Sequence, residues 1–247
     1  MKFIVMHKHD ANTETGKLPP PEFMAAMGAL IGDAARSGKL LDGEGLGATR
    51  TRSRVTFEGG TSTVVHGPFA GSHELPAGFA KVRVTSRDEA LAIARRIGEA
   101  IGGDVEIEVS KLTEEWDLGF GEKPADAPER YLVIVKATPA SEAGRPPELG
   151  ALLQELADEG VVLATATLAP SARGKRLTWR GGQRKIVDGP FTESKEMLGG
   201  YAILELASLE ECLAFTTEYA ELLLTAADGL DLEIDVRLVD GSPRLGR

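Results

Sequence analysis

The sequence predicts an α+β protein built from two similar units, and three observations carry that expectation. A tetrapeptide recurs together with its frame. His66-Gly67-Pro68-Phe69 is followed by Ser72, Glu74, Gly78 and Phe79, and Asp188-Gly189-Pro190-Phe191 by Ser194, Glu196, Gly200 and Tyr201, every position shifted by 122 residues. From Gly38 to Leu91 the same shift gives 18 identities in 54 positions without a gap. Finally, apolar periodicity alternates between strand and helix in the same order on both sides of a Gly-, Pro- and Ala-bearing stretch between Glu114 and Glu129. A repeat of this length reads as a tandem duplication.

Each copy opens on a strand, Phe3–Met6 or Tyr131–Val135. A polar loop then leads to Pro20-Pro21-Glu22 or Pro146-Pro147-Glu148. Proline suits a first helical turn because the N–H it lacks has no intrahelical partner there. Behind it Phe23, Met27, Leu30, Ile31 and Ala34 hold helical spacing, as do Leu149, Leu152, Leu153 and Leu156. Gly38 and Gly160 sit where a left-handed residue stops a helix. Two short strands follow in each copy, at about 39–47 and 53–58 and at about 161–168 and 175–180. Gly59-Gly60 and Gly181-Gly182 turn the chain toward Val64-Val65 and Ile186-Val187, and strands at about 78–84 and 200–206 follow the Gly-Pro-Phe loops. Ser86 with Glu89, and Ser208 with Glu211, read as capping boxes for the second helices. Val105–Val109 and Leu232–Val236 close the copies as strands.

The order is β-α-β-β-(β)-β-α-β, the ferredoxin-like order. The expected domains are residues 1–113 and 130–240, with 114–129 as linker. Two helices cover one face of a four- or five-stranded sheet, so the other face needs a partner. The other copy is the nearest one. The expectation is therefore two tandem ferredoxin-like units packed sheet to sheet as an intramolecular α/β dimeric barrel, with a ligand cavity between the sheets.

The totals narrow the function classes. A net charge of −10 is spread evenly: residues 1–122 carry 14 Lys and Arg against 18 Asp and Glu, and residues 123–247 carry 14 against 20. Neither half is a basic footprint, which argues against direct nucleic-acid binding. The single cysteine rules out an internal disulfide and fits a reducing compartment. No apolar run approaches the roughly 18 residues of a membrane span, and the N-terminal apolar run is too short for a secretion signal. The expectation is a soluble, cytoplasmic protein without membrane partners.

The stretch Asp188–Tyr201 (DGPFTESKEMLGGY), running into Ser208–Glu211, resembles the DGPF signature of the YciI-like, or YCII-related, family. The first copy is similar at Gly43–Leu46, Phe57–Gly60, His66–Phe69 and Ala77–Phe79. The resemblance implies a ferredoxin-like α+β fold that pairs sheet to sheet. It implies less about chemistry. Some YciI-like proteins are lyases or dehalogenating enzymes on small cyclic compounds, with a His–Asp pair as acid and base. Others stand beside extracytoplasmic-function sigma factors, which implies a regulatory context. This chain departs from the signature by placing His66 where the family has aspartate. All four of its histidines (His7, His9, His66, His73) lie in the first copy.

Four residues are candidate acid–base groups: His7, His66, Asp188 and Glu44. Asp188 reads either as an Asx-type turn former or as a base at a cavity mouth. His66, at the matching position, reads as a group titrating near neutrality or as a drifted turn residue. His7 and His9 point to the face of Phe3 and Val5; they line the cavity if that is the inter-sheet face and are solvated loop residues if the strand ends at His7. Glu44 lies among small residues opposite Ala166 of the other copy. A His–Asp site would have to bridge the copies. Arg50, Arg52 and Arg54 alternate on one strand face and read as a solvated, protected edge or as an anion-binding set for a carboxylate ligand. Glu74 and Glu196 read as loop residues, and Cys212 as core. The histidine spacings fit no zinc pattern and no Gly-rich turn opens a helix for a dinucleotide, so no metal or cofactor is expected. Three readings stay open: a small-molecule binding module acting as sensor or regulatory accessory, a cofactor-independent acid–base lyase or isomerase on a small ring compound, and a degenerate structural duplicate. Higher homo-oligomers and a functional link to an extracytoplasmic-function sigma factor are compatible with the first.

Overall fold

The computed structural model describes residues 1–8, 14–71, 75–138, 146–191, 197–226 and 231–245. His9, His73, Glu74 and Glu196 lie outside them. Among the described residues the chain runs β1 (Lys2–Lys8), α1 (Pro21–Arg36), β2 (Leu40–Gly45), β3 (Ser53–Glu58), β4 (Thr61–His66), β5 (Pro76–Val84), α2 (Arg87–Ile101), β6 (Val105–Lys111), β7 (Glu129–Lys136), α3 (Pro147–Asp158), β8 (Val162–Leu168), β9 (Lys175–Arg180), β10 (Gln183–Asp188), β11 (Leu198–Glu205), α4 (Leu209–Ala226) and β12 (Leu232–Arg244). The class is α+β with antiparallel sheets.

The chain divides into two compact units that do not follow the two sequence copies. An inserted unit is essentially the contiguous segment Leu46–Leu168, and a terminal unit joins Met1–Gly45 to the chain after Ala169. In the terminal unit the antiparallel order is β2-β11-β1-β12-β9-β10. In the inserted unit it is β8-β5-β7-β6-β3-β4. Each sheet thus takes β-α-β from one copy and β-β-β-α-β from the other. The orders match strand for strand, and the exchange follows from the likeness itself. β1 and β7 carry the same apolar pattern, so β11 finds an equivalent partner in either.

In both units strand alternation sends one set of side chains against the helices. In the inserted unit Val55, Ala80, Val82, Ile107, Val109 and Val133 pack with Ala94 and Ile97 of α2 and with Leu149 and Leu153 of α3. In the terminal unit Phe3, Val5, Leu177, Leu204, Ile234 and Val236 pack with Cys212 and Ala220 of α4. Each such fully buried Val, Leu or Ile contributes about 1.5–3 kcal/mol. The opposite, helix-free face is buried as well, at Ile4, Met6 and Ile203 and at Leu132 and Ile134.

The local signals behave as their chemistry requires. Gly38 and Gly160 follow α1 and α3 with φ of 71° and 77°, a region that is cheap only for glycine. The hydroxyls of Ser86 and Ser208 accept from the N–H of Glu89 and Glu211, at 3.3 and 3.2 Å. The return bonds reach one residue further than a standard capping box. The Glu89 and Glu211 carboxylates accept from the N–H of Thr85 and Ala207, at 2.8 and 3.0 Å. The repeated Gly-Pro-Phe loops contain cis prolines at Pro68 and Pro190. Their glycines are sterically required: a Cβ on Gly67 would lie 1.9 Å from the Thr49 carbonyl oxygen, and one on Gly189 1.8 Å from that of Ser171.

Candidate functional site

The helix-free face of each sheet carries a buried ionic cluster beside its Gly-Pro-Phe loop. In the inserted unit β3 and β6 pair so that Arg54 stands opposite Glu108. One Glu108 carboxylate oxygen accepts from Arg52 Nη1 at 3.0 Å, and the other meets Arg54 Nη2 at 3.3 Å and Lys136 Nζ at 3.5 Å. Glu108 is 1% exposed and Arg52 0%. The guanidinium of Arg54 lies over the Phe69 ring, 4.3 Å from its centroid. The solvated-edge reading of Arg52 and Arg54 is therefore corrected. β4, not β3, is the edge strand, and β3 is held between β4 and β6. Arg50 alone of the three is exposed, in a 3₁₀ turn before the strand.

The terminal unit repeats this arrangement. β9 and β12 set Arg176 opposite Asp235. The Asp235 carboxylate accepts from Arg176 at 2.6 and 3.0 Å and from Lys8 Nζ at 3.1 Å, and Glu233 adds a contact to Arg176 at 3.3 Å. The Arg176 guanidinium lies 4.4 Å over the ring of Phe191. Burial alone would raise the Asp235 carboxyl, but Lys8 and Arg176 outweigh it and hold the group below the usual carboxylate range. Phe191 is fixed in turn by Ser171, whose hydroxyl accepts its N–H at 3.2 Å.

A further arginine on each helix-free face binds a backbone carbonyl at a matching position. Arg52 Nε donates to the Gly47 carbonyl at 2.9 Å, and Arg237 Nε donates to the Ala169 carbonyl, also at 2.9 Å. Gly47 and Ala169 are matching positions of the repeat, but Arg52 and Arg237 are not. Arg52 precedes β3, where the other copy has Gly174, and Arg237 lies on β12, where the first copy has Ser110 on β6. A Cβ on Gly174 would lie 3.0 Å from Arg237 Cγ. A guanidinium thus reaches the equivalent carbonyl from either of two chain positions, and in the inserted unit it also bonds the cluster carboxylate.

The structure places the four acid–base candidates elsewhere. His7 lies on the helix side of β1, packed over Gly199 and Gly200, where added Cβ atoms would come within 2.9 and 2.5 Å of its ring. Its Nδ1 is 2.8 Å from the Tyr219 hydroxyl of α4. Burial pushes the Tyr219 phenol upward, so the hydroxyl keeps its proton. His66 is exposed on β4, its Nδ1 2.8 Å from the Ser53 hydroxyl. Asp188 is exposed on β10 and forms an ion pair with Lys175. Lys175 and Ser53 are matching positions, so Lys175–Asp188 and Ser53–His66 are one cross-strand pair filled with different chemistry. Glu44 is half-buried on β2 in register with Tyr201, whose hydroxyl donates to the neighbouring Asp42 at 2.8 Å. Within the terminal unit β1 and β10 are separated by β12 and β9, so β10 lies about 14 Å from β1 at ~4.8 Å per strand, and Asp188 stands two residues further along it than the position level with His7.

Cys212 is buried, and burial pushes its thiol up to about 12, which leaves it a core residue without thiolate character. An apolar cavity of about 50 Å³ lies under α2 and α3 of the inserted unit, lined by Phe79, Ile97, Val133 and Leu149 among others. That is far below the roughly 300–1,000 Å³ of a small-molecule site. Among the described residues no group of three or more His, Cys, Asp or Glu side chains is arranged to hold a metal ion, and no helix is long and apolar enough to cross a membrane.

Sequence reasoning missed the buried clusters although a signal was present. Val105-Glu106-Ile107-Glu108-Val109 and Leu232-Glu233-Ile234-Asp235-Val236 alternate acid with apolar residues, and both copies carry arginine at the 54/176 position.

The sequence comparisons agree with the signature. An uncharacterised protein of Rhizobium meliloti (strain 1021) is 32% identical over 71 residues, which is 29% of this chain and 57% of the relative, so the match spans little more than half of that protein. No solved structure matches. The model of the YCII-related domain matches residues 130–221, the segment that carries Asp188-Gly189-Pro190-Phe191, so this segment is similar to the YCII-related family.

Proposed function

We propose that this YCII-related protein is a small-molecule binding module arisen by tandem duplication, its two ferredoxin-like sheets packed face to face as a dimeric barrel. The ligand is a small organic molecule with an anionic group, held on the helix-free faces. One observation carries the reading. In both units a guanidinium stacked on the Gly-Pro-Phe ring is locked to a buried carboxylate and a lysine, at Arg54, Phe69, Glu108 and Lys136 and at Arg176, Phe191, Asp235 and Lys8. Buried ion pairs of this kind add little net stability over an apolar packing, so their retention is best explained by what they orient. A pre-aligned guanidinium edge reads a planar anion. A sensor or accessory role beside a transcription regulator, such as an extracytoplasmic-function sigma factor, is the context that the family resemblance implies.

The acid–base reading keeps one local argument, the His7–Tyr219 hydrogen bond, since an imidazole bonded to a phenol can relay a proton. It is the weaker reading because the ion pair of Asp188 with Lys175 and the separation of β1 from β10 deny His7 its signature partner. The test is a thermal-shift screen of small organic acids. A ligand of the site raises the melting temperature in the wild type and leaves Arg54→Gln and Arg176→Gln unshifted. At a hundredfold excess over Kd the stabilisation is about 2.7 kcal/mol. A ligand that shifts both variants as much as the wild type overturns the assignment.

A further inference from the structure

A second site, independent of the ionic clusters, lies where the linker crosses the inserted unit. On adjacent antiparallel strands Arg83 of β5 and Arg130 of β7 stand directly opposite one another. Like charges in that relation are destabilising. The matching pair of the terminal unit is Glu205 opposite Lys2, an ordinary attractive pair. Only the inserted unit replaces it with two arginines, and only there does the linker lie over them. Residues of both form a groove of about 450 Å³, walled by Trp116, Pro124, Ala127 and Pro128 and holding Arg83, Arg130, Glu114 and Asp126.

The donors in this groove are unequally satisfied. Arg130 is held by Glu114 in a two-point bond, at 2.8 and 2.7 Å. Its carbonyl also accepts the Leu112 N–H at 3.0 Å, which ties the start of the linker to β7. Arg83 is exposed, and its backbone N–H is spent on the Val161 carbonyl at 2.8 Å. The Trp116 indole N–H is buried and has no acceptor among the described residues. A buried donor left unmade is costly and calls for an explanation.

We propose that the linker groove binds a monocarboxylate with an apolar body. The carboxylate bridges the Arg83 guanidinium and the Trp116 indole N–H, relieving the Arg83–Arg130 repulsion, and the apolar body lies against Trp116 and the prolines. Glu114 and Asp126 stand in the same groove and disfavour a dianion such as phosphate.

The test uses the full chain with benzoate as probe, and with acetate, benzyl alcohol and inorganic phosphate as comparators. Binding is read by calorimetry and by tryptophan fluorescence, where the second tryptophan, Trp179, lies in the terminal unit's core. Benzoate should bind saturably and change the fluorescence. Trp116→Phe should abolish the fluorescence response and weaken the calorimetric affinity. Arg83→Glu recreates the opposite-charge pair of the other unit, so it should fold as well as the wild type and lose binding by about tenfold or more. The fluorescence response that Trp116→Phe removes reports on this groove, which separates it from the clusters, where no tryptophan takes part. No saturable benzoate binding up to about 10 mM, a range within reach of a single weak carboxylate site, would overturn the proposal. So would unchanged affinity in Arg83→Glu, or benzyl alcohol, acetate or phosphate binding as tightly as benzoate.

Discussion

The two units solve one problem with different residues. Each buries a carboxylate on the helix-free face of its sheet, Glu108 in one and Asp235 in the other, and surrounds it with an arginine stacked on phenylalanine and a lysine from the central strand. A second arginine comes from before β3 in the inserted unit and from β12 in the terminal unit, yet it binds the equivalent carbonyl in both. A position-by-position alignment scores this as two unrelated changes, Arg52 against Gly174 and Ser110 against Arg237. In space both supply a guanidinium to the matching carbonyl. The edge pairs show the opposite case: Ser53–His66 and Lys175–Asp188 keep their place and change their chemistry. What the units share is the buried cluster, and what they vary is the exposed signature position.

The largest expected effect breaks the comparison at the level of whole units. The inserted unit is nearly contiguous, so residues 46–168 expressed alone should fold and show one cooperative thermal transition by circular dichroism. Residues 1–120 hold β1, α1 and β2 without their partners β11 and β12, so this fragment should aggregate or self-associate in light scattering. A cooperative monomer from 1–120 and none from 46–168 would overturn the partition into inserted and terminal units.

Next come the buried carboxylates. Glu108→Ala leaves Arg52, Arg54 and Lys136 around an empty place, and removing one partner of a buried pair costs about 3–5 kcal/mol. Asp235→Ala should cost a similar amount. Denaturant melts measure both. A loss below about 1 kcal/mol for either would show that the clusters do not hold the buried charges together. The pH dependence follows from the Asp235 shift. Its folded pKa lies below the unfolded value of about 3.9. Its contribution is therefore fully present above that value and is lost as the pH falls through the folded pKa. Asp235→Asn should flatten the acid limb of the stability curve below about pH 4 and leave the neutral region parallel to the wild type.

The loop glycines come third. Gly67→Ala and Gly189→Ala each drive a methyl group into a backbone carbonyl, at 1.9 and 1.8 Å. A backbone atom yields less readily than a side-chain tip, so each should destabilise by about 1–3 kcal/mol or more. Equal costs in the two variants would confirm that the loops are structurally equivalent. A neutral outcome at one would show that its loop relaxes.

Much of this architecture was legible in the sequence. The helix caps, the turns at Gly59-Gly60 and Gly181-Gly182 and the strands all follow from local rules that local residues satisfy. The exchange of segments was not legible, because β1 and β7 present the same alternation to β5 and β11 and nothing local distinguishes the partners. The site was legible only in part. The Gly-Pro-Phe loops are part of it through Phe69 and Phe191, but Arg52 and Arg54 read as a solvated edge because single-strand alternation does not say which strand lies alongside. The signal lay on the partner strands, in the alternating acids of β6 and β12. His7 was placed on the correct face of β1, that of Phe3 and Val5, but this is the helix side, where it meets Tyr219.

The smallest expected effect tests the signature position itself. Asp188 is 76% exposed and its one carboxylate partner bond runs to Lys175. An exposed ion pair contributes about 0–1 kcal/mol. The other copy already shows that serine and histidine fit the same cross-strand place. The double substitution Lys175→Ser with Asp188→His should therefore change stability by less than about 1 kcal/mol, and Asp188→Asn alone by less than about 0.5 kcal/mol. Thermal melts at matched salt decide this, and the wild-type pair should weaken slightly as salt is raised. The same two variants also separate the functional readings. If Asp188 only closes the edge of the sheet, both should keep the organic-acid affinity that Arg176→Gln loses, because Arg176 touches the buried cluster and Asp188 does not pair with it. If either variant loses ligand binding while remaining folded, the aspartate of the signature acts on the ligand, and the acid–base reading displaces the binding module.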